Sequence, residues 1–292
     1  MRKLLQLICE KQRLAKIKPK LNYEVPPYSQ LYEAEWGRVA VLASGSKGNC
    51  TYIEIEGTKI LVDVGITTIQ VKKKLAELGV NIEDIEAILI THEHIDHIRA
   101  LPVLMKKYKM PVWSKEGTIE AVKEKIDESL YGQLKSMKDS SKQICVGFAG
   151  DLTFYGVSTS HDAESPCGYF IESGSHYVSV SVFTDLGFIT KEIQESLNMS
   201  EVIVLESNYD PVVLDECSYA QELKDRIVSN TGHLCNKVAG NILTELDNTK
   251  KRIIFLAHIS HEANSPEVCY NTIMEILKSK GKLDNFDIRL TK

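Results

Sequence analysis

Ala87-Ile88-Leu89-Ile90-Thr91-His92-Glu93-His94-Ile95-Asp96-His97 reads as a buried strand running straight into a loop crowded with metal-competent side chains. The first four residues form an unbroken apolar run, as a strand covered on both faces requires. His92, His94, Asp96 and His97 then fall within six positions. On one continuous helix or strand the four could not converge. A strand-to-helix loop, however, can aim two pairs of ligands at neighbouring points. Imidazole and carboxylate together suit zinc, manganese or iron. A loop that is merely rich in histidine is the competing reading, but it leaves the strand before and the helical pattern after unexplained.

Working outward, RVAVLAS (38–44), TYIEIEG (51–57) and TKILVDVG (58–65) read as three strands, with Glu56-Gly57-Thr58 turning the second into the third. VKKKLAELGV (71–80) has apolar residues at helical spacing and closes on Gly79. The pattern predicts helices over 98–108 and 116–130 and strands over 143–148, 151–157, 167–172 and 176–184. The last third alternates: helix 190–198, strand 201–206, helices 216–229 and 234–246, strand 252–257, helix 266–279, strand 286–290. Strands and helices interleave along the whole length without a repeat. The expected architecture is therefore α/β (α+β), two mixed sheets flanked by helices in an αββα sandwich. Residues 1–36, basic and carrying Pro26-Pro27 in a tyrosine-rich linker, are read as an appendage to a domain over 37–292.

Bulk properties set limits on function. The chain has 292 residues, 43% hydrophobic and 26% charged, and no apolar run approaches a membrane span. The apolar stretch before Glu10 is too short for a secretory signal, so a cytoplasmic location is expected. Seven cysteines are scattered without a CxxC pair and are read as reduced thiols. Net charge is −5, yet the first twenty residues hold seven basic side chains against one acidic. A solvated terminal helix accounts for this arm more simply than a nucleic-acid contact. Lys72-Lys73-Lys74, Lys106-Lys107-Lys109 and Lys250-Lys251-Arg252 are further candidate basic patches.

Three more metal-competent residues sit where apolar strands end. His161 follows FYGVSTS, Asp185 ends VSVSVFTD and His258 ends RIIFLAH. Strand ends are where α/β sites are built. Each alone would read as a structural residue; jointly they read as a site. His176, in Ser173-Gly174-Ser175-His176, lacks such company and is assigned to a hairpin turn.

The HxHxDH loop, the later His, an Asp-Leu-Gly and a final His after an apolar strand resemble the metallo-β-lactamase superfamily, and within it the YycJ/WalJ group. The segments that carry the resemblance are Ala43-Ser44-Gly45-Ser46-Lys47-Gly48-Asn49, THEHIDH (91–97), Thr184-Asp185-Leu186-Gly187-Phe188-Ile189-Thr190, Glu206-Ser207-Asn208-Tyr209-Asp210, Gly232-His233-Leu234-Cys235-Asn236 and LAHIS (256–260). The resemblance covers residues 37–292. It implies two divalent ions, zinc or manganese. His92, His94 and His161 would hold one, Asp96, His97 and His258 the other, with Asp185 bridging. A hydroxide shared by such ions would attack phosphorus.

Glu206, ending EVIVLE, and His233, before LCNKVAGNILTEL, resemble the Glu/His dyad of tRNA-processing nucleases in the superfamily. Asp96, His233 and Glu206 are thus the candidate catalytic residues. A carboxylate on one imidazole nitrogen fixes the tautomer, and the ring can then protonate a leaving oxygen or bind phosphate. Ser44, Ser46, Lys47 and Asn49 in the glycine-rich loop, and Asn236, are candidate phosphate contacts. Two departures from the family pattern stand out: Cys235 where serine is expected, and His261 where lysine is usual. If 258–261 were helical, His258 and His261 could both face a metal. The resemblance implies a 5′→3′ exonuclease acting on double-stranded DNA. A hydrolase of small phosphodiesters or thioesters is the rival, and a regulator that binds metal without catalysis is a third reading.

Overall fold

The computed structural model describes residues 22–140, 144–174 and 178–291. His176 lies outside the described residues. Two compact units divide the chain. The N-terminal unit comprises Gln30–Ser158 and Ala163–Val182. The C-terminal unit comprises Thr159–Asp162 and Phe183–Lys292, together with residues 22–29. The strands form two mixed sheets and are accompanied by helices, the α+β architecture expected from the sequence.

In the N-terminal unit, one sheet runs in chain order from β1 (Leu31–Ala34) through β2 (Gly37–Ala43), β3 (Cys50–Ile55), β4 (Thr58–Val62), β5 (Ala87–Leu89) and β6 (Val112–Ser114) to β7 (Leu134–Ser136). The first four strands pair antiparallel and β4 to β7 pair parallel. Val39, Ala40, Val41 and Leu42 in β2 are buried, and so is all of β5, a strand with parallel neighbours on both sides. Helix α1 (Thr68–Glu77) starts three residues before its first buried position, Val71. Thr67 caps it, accepting from Gln70 N while Gln70 returns a bond to the Thr67 amide. Helices α2 (Ile95–Ile98) and α3 (Leu101–Tyr108) follow, and Leu101, Leu104 and Met105 pack into one core with Val71, Leu75 and Ile88. The same unit holds the antiparallel run β8 (Lys138–Asp139), β9 (Ile144–Ala149), β10 (Leu152–Ser158), β11 (Cys167–Ser173) and most of β12 (Ser179–Phe183).

The C-terminal unit is built on β13 (Val202–Glu206), β14 (Arg252–Ala257) and β15 (Phe286–Leu290), all parallel. Its helices are α5 (Lys191–Met199), α6 (Pro211–Glu216), α7 (Gln221–Val228), α8 (Asn236–Glu245) and α9 (Pro266–Ser279); α4 (Glu116–Lys123) belongs to the other unit.

Differences from the sequence reading have local causes. The helix expected over 116–130 stops at Lys123, and Asp127 then caps a separate 3-10 turn, Glu128–Gln133, by accepting from Ser129 N. Strands β1, β6, β7 and β8 are two to four residues long and too short to show a period. β1 falls within the span read as appendage and pairs with β2 from Leu31↔Ala40 to Ala34↔Gly37. Arg252 is not part of a basic patch. It is 0% exposed, and its guanidinium donates to the carbonyls of Asn198 and Asp247, both at 2.7 Å, and to Asp247 Oδ1 at 2.9 Å. Cys50, Cys167, Cys217 and Cys269 are free thiols as expected, but Cys235 is disulfide-bonded. Spacing along a chain cannot reveal a pairing that the fold creates.

Candidate metal centre

In the N-terminal unit, β5 delivers the chain to Thr91, and the extended His94 breaks the path before α2 begins at Ile95. His92 and His94 therefore precede the helix, while Asp96 and His97 ride on its first turn. His92 Nε2 lies 3.1 Å from His94 Nδ1, and His97 Nε2 lies 3.5 Å from Asp96 Oδ2. The His92 and His97 rings are 3.9 Å apart between centroids.

Two residues outside the HxHxDH motif hold this loop. Asp63, which follows β4, accepts from His97 Nδ1 at 2.8 Å and from the Thr91 amide at 2.9 Å. The Thr91 hydroxyl also bonds Asp63 Oδ2 at 2.9 Å and stands 3.0 Å from His92 Nδ1. A carboxylate on Nδ1 fixes the tautomer of His97 and turns the Nε2 lone pair toward a ligand position. Asp63 was not singled out in the sequence, although TKILVDVG places it at a strand end, as VSVSVFTD places Asp185. Asn49, a candidate phosphate contact, is buried: its side-chain amide is 3.0 Å from His97 Nε2 and its backbone amide donates to Asp96 O at 2.8 Å. Ser46 and Lys47 are exposed at the tip of that loop, and Ser44 is half-buried.

In the C-terminal unit, Asp185 Oδ1 lies 3.6 Å from His258 Nδ1, 3.8 Å from His233 Nδ1 and 3.9 Å from His161 Nε2. Glu206, at the end of β13, is wholly buried. Its Oε1 accepts from His233 Nδ1 at 2.9 Å and His258 Nδ1 at 2.7 Å. Its Oε2 accepts from the amides of Leu186 at 2.8 Å and Leu234 at 2.9 Å. Burial alone would push the Glu206 carboxyl up. The facing His233 and the bonds from both imidazoles outweigh it and hold Glu206 well below the usual carboxylate range. Glu206 is thus shared between His233 and His258, a pairing the dyad motif alone does not disclose. Burial lowers the pKa of His161, partly offset by Asp185.

Four residues of this unit, Asp185, Glu206, His233 and His258, offer ligand atoms that all lie within 4.8 Å of one another. Imidazole nitrogens and carboxylate oxygens at this density fit a divalent first-row ion. His258 is 3% exposed, whereas His261 is exposed on an irregular segment, so the helical condition for their joint use is not met. Asn236, another candidate phosphate contact, is fully buried and bonds Ser207 and Asn264. Asn208, to which the sequence reading gave no role of its own, donates to His258 O at 2.8 Å.

Comparison with known proteins agrees with this chemistry. The profile of the metallo-beta-lactamase superfamily matches residues 43–187. The chain is 32% identical to exodeoxyribonuclease YycJ of Bacillus anthracis over 83% of its own length and 89% of that protein. It is 34% identical to exodeoxyribonuclease WalJ of Streptococcus pneumoniae over 82% of its length and 88% of that protein. Among solved structures, the metallo-beta-lactamase fold protein YhfI from Bacillus subtilis superimposes with a TM-score of 0.63 at 17% identity, over 87% of this chain and 95% of YhfI.

Proposed function

Because the chain belongs to the metallo-β-lactamase superfamily, in the group that holds YycJ and WalJ, we propose that this metal-dependent hydrolase is a phosphodiesterase that degrades DNA from a 5′ end. The observation that carries the proposal is the Glu206–His233 pair, 2.9 Å apart, with the carboxylate buried and the imidazole 21% exposed. Two divalent ions, zinc or manganese, held by His92, His94, Asp96, His97, His161, Asp185 and His258 would supply Lewis-acid activation and charge neutralisation at phosphorus.

The protein's own groups do the rest. Asp63 and Glu206 each accept from imidazole Nδ1 atoms, which would direct Nε2 of His258 toward an ion, and that of His97 once it gives up its contact with the Asn49 amide at 3.0 Å. His233 is held by the same carboxylate, so its Nε2 is the atom that can carry a proton and release it to a departing alkoxide. A deoxyribose oxygen is a poor leaving group and needs that proton. A thioester, whose thiolate departs without a proton, has no comparable need for a second imidazole beside the ligand set.

Activity on 5′-labelled linear duplex, single-stranded DNA, RNA and bis-p-nitrophenyl phosphate, each with zinc, manganese or EDTA, tests the proposal. Metal-dependent release of nucleotides from the 5′ end of duplex is expected. Turnover of the small diester with no cleavage of any polynucleotide would favour the small-molecule reading.

A further inference from the structure

A buried knot of amides in the C-terminal unit ties together three segments that carry site residues. Asn264 is its centre and is 4% exposed. Its Nδ2 donates to the carbonyls of Ser207 at 3.1 Å and Asn208 at 3.0 Å, and to Asn236 Oδ1 at 2.8 Å. Its Oδ1 accepts from Asn236 Nδ2 at 3.0 Å and from the Ser265 amide at 3.0 Å. Ser207 and Asn208 directly follow Glu206. Asn236 opens α8 three residues after His233. Asn264 itself lies on the loop that begins at His258. One side chain thus fastens the main chain that follows Glu206 and meets the side chain of Asn236, three residues beyond His233.

The knot reaches His258 through Asn208. The Asn208 amide donates to His258 O at 2.8 Å and is 3.3 Å from His258 Nδ1, while the Ser260 amide donates back to Asn208 O at 2.9 Å. His258 has φ of +56°, a left-handed conformation that a histidine keeps only when its surroundings impose it. A simple role at the head of α9 would need only the bond that the Ser265 amide donates to Asn264 Oδ1. The three contacts of the amide nitrogen go instead to Ser207, Asn208 and Asn236.

We infer that Asn264 is a positioning residue: acting through Asn208 and Asn236, it holds His258 in its strained ligand geometry and keeps His233 in register with Glu206. The inference rests on the reading of His258 as a metal ligand. Without the Asn264 amide, the buried carbonyls of Ser207 and Asn208 lose a donor, and the loop bearing His258 is freed to leave the left-handed conformation.

Chelator competition on the full chain measures the effect, with Asn264→Ala and Asn208→Ala compared with Asn271→Ala. Asn271 is an equally buried asparagine of the same unit that bonds the Tyr23 backbone instead. Asn264→Ala is expected to weaken binding of one zinc ion by about 10- to 100-fold, the usual effect of losing a partner behind a ligand, while Asn271→Ala leaves it unchanged. Asn208→Ala, which spares the knot and removes only the His258 bonds, is expected to give about 10-fold and serves if Asn264→Ala does not fold. Unchanged affinity in the folded variants, or an equal loss in Asn271→Ala, overturns the inference. A wild-type chain that takes up no zinc overturns the ligand reading instead. The 15N imidazole signals of the metal-free chain then decide: a shift of His258 on Asn264→Ala supports the inference and unchanged signals overturn it.

Discussion

Asp63 and Glu206 are buried carboxylates at the ends of β4 and β13, and each accepts from imidazole Nδ1 atoms. Their substitutions should nevertheless differ. Asp63→Asn keeps the shape and a bond to Thr91 but removes the charge that fixes His97. Metal affinity and activity should both fall by about 10- to 100-fold, read by chelator competition and by duplex digestion. His233→Ala removes no proposed ligand. It should leave metal content unchanged while slowing DNA cleavage by about 10²–10⁴-fold, with a much smaller loss on the p-nitrophenyl diester, whose leaving group departs without a proton. Glu206→Gln touches both imidazoles, so it should combine the two effects: weaker metal binding and a selective loss on DNA. Equal losses on both substrates for His233→Ala would mean that the ring binds phosphate and donates no proton.

Among elements, the strand ends are where backbone strain collects. Asp63 after β4, Asp185 after β12 and His258 after β14 have φ of 59°, 57° and 56°. Such residues cost on the order of 1–3 kcal/mol each and persist where neighbours over-determine them. Glycines let those neighbours approach. A Cβ on Gly65 would lie 1.5 Å from Asp96 O, and one on Gly187 would lie 1.8 Å from Asn230 O. Gly187→Ala should therefore destabilise the chain by about 1–3 kcal/mol, since backbone must move. Gly132→Ala, where a Cβ meets nothing within 4 Å, should stay within about 0.5 kcal/mol. Urea unfolding of the metal-free proteins gives both values, and similar midpoints for the two would refute the packing argument.

At the scale of the whole molecule, buried site residues couple stability to pH. Glu206 titrates lower when folded than when unfolded, so its contribution is complete above the unfolded value of about 4.3 and is lost as pH falls below it. His161, held below its ordinary value by burial, favours the neutral ring in the folded state and begins to cost stability as pH drops below about 6.5. Urea midpoints of the metal-free chain should decline gently below pH 6.5 and steeply below about pH 4. Glu206→Gln should remove the steep part, and an unchanged slope in that variant would show that other carboxylates govern it. Metal should oppose the decline above that range, since an ion at 100 times its dissociation constant adds about 2.7 kcal/mol.

The sequence by itself determined the strand-loop-helix around His92, His94, Asp96 and His97, the mixed α+β class and the strand-end residues His161, Asp185 and His258. Each is written in local terms: a continuous apolar run, a change of period, or a polar residue where the run stops. Tertiary structure decided what these residues bond. Asp63 lies 34 positions from His97, and Glu206 lies 52 from His258, separations over which no periodicity carries information. It also decided that Asn49 and Asn236 are buried supports, that Arg252 is an interior side chain, and that Cys235 is bonded. A hydrogen bond requires about 3 Å and an aligned donor, conditions set by the meeting of distant strand ends and not by the order of residues along one of them.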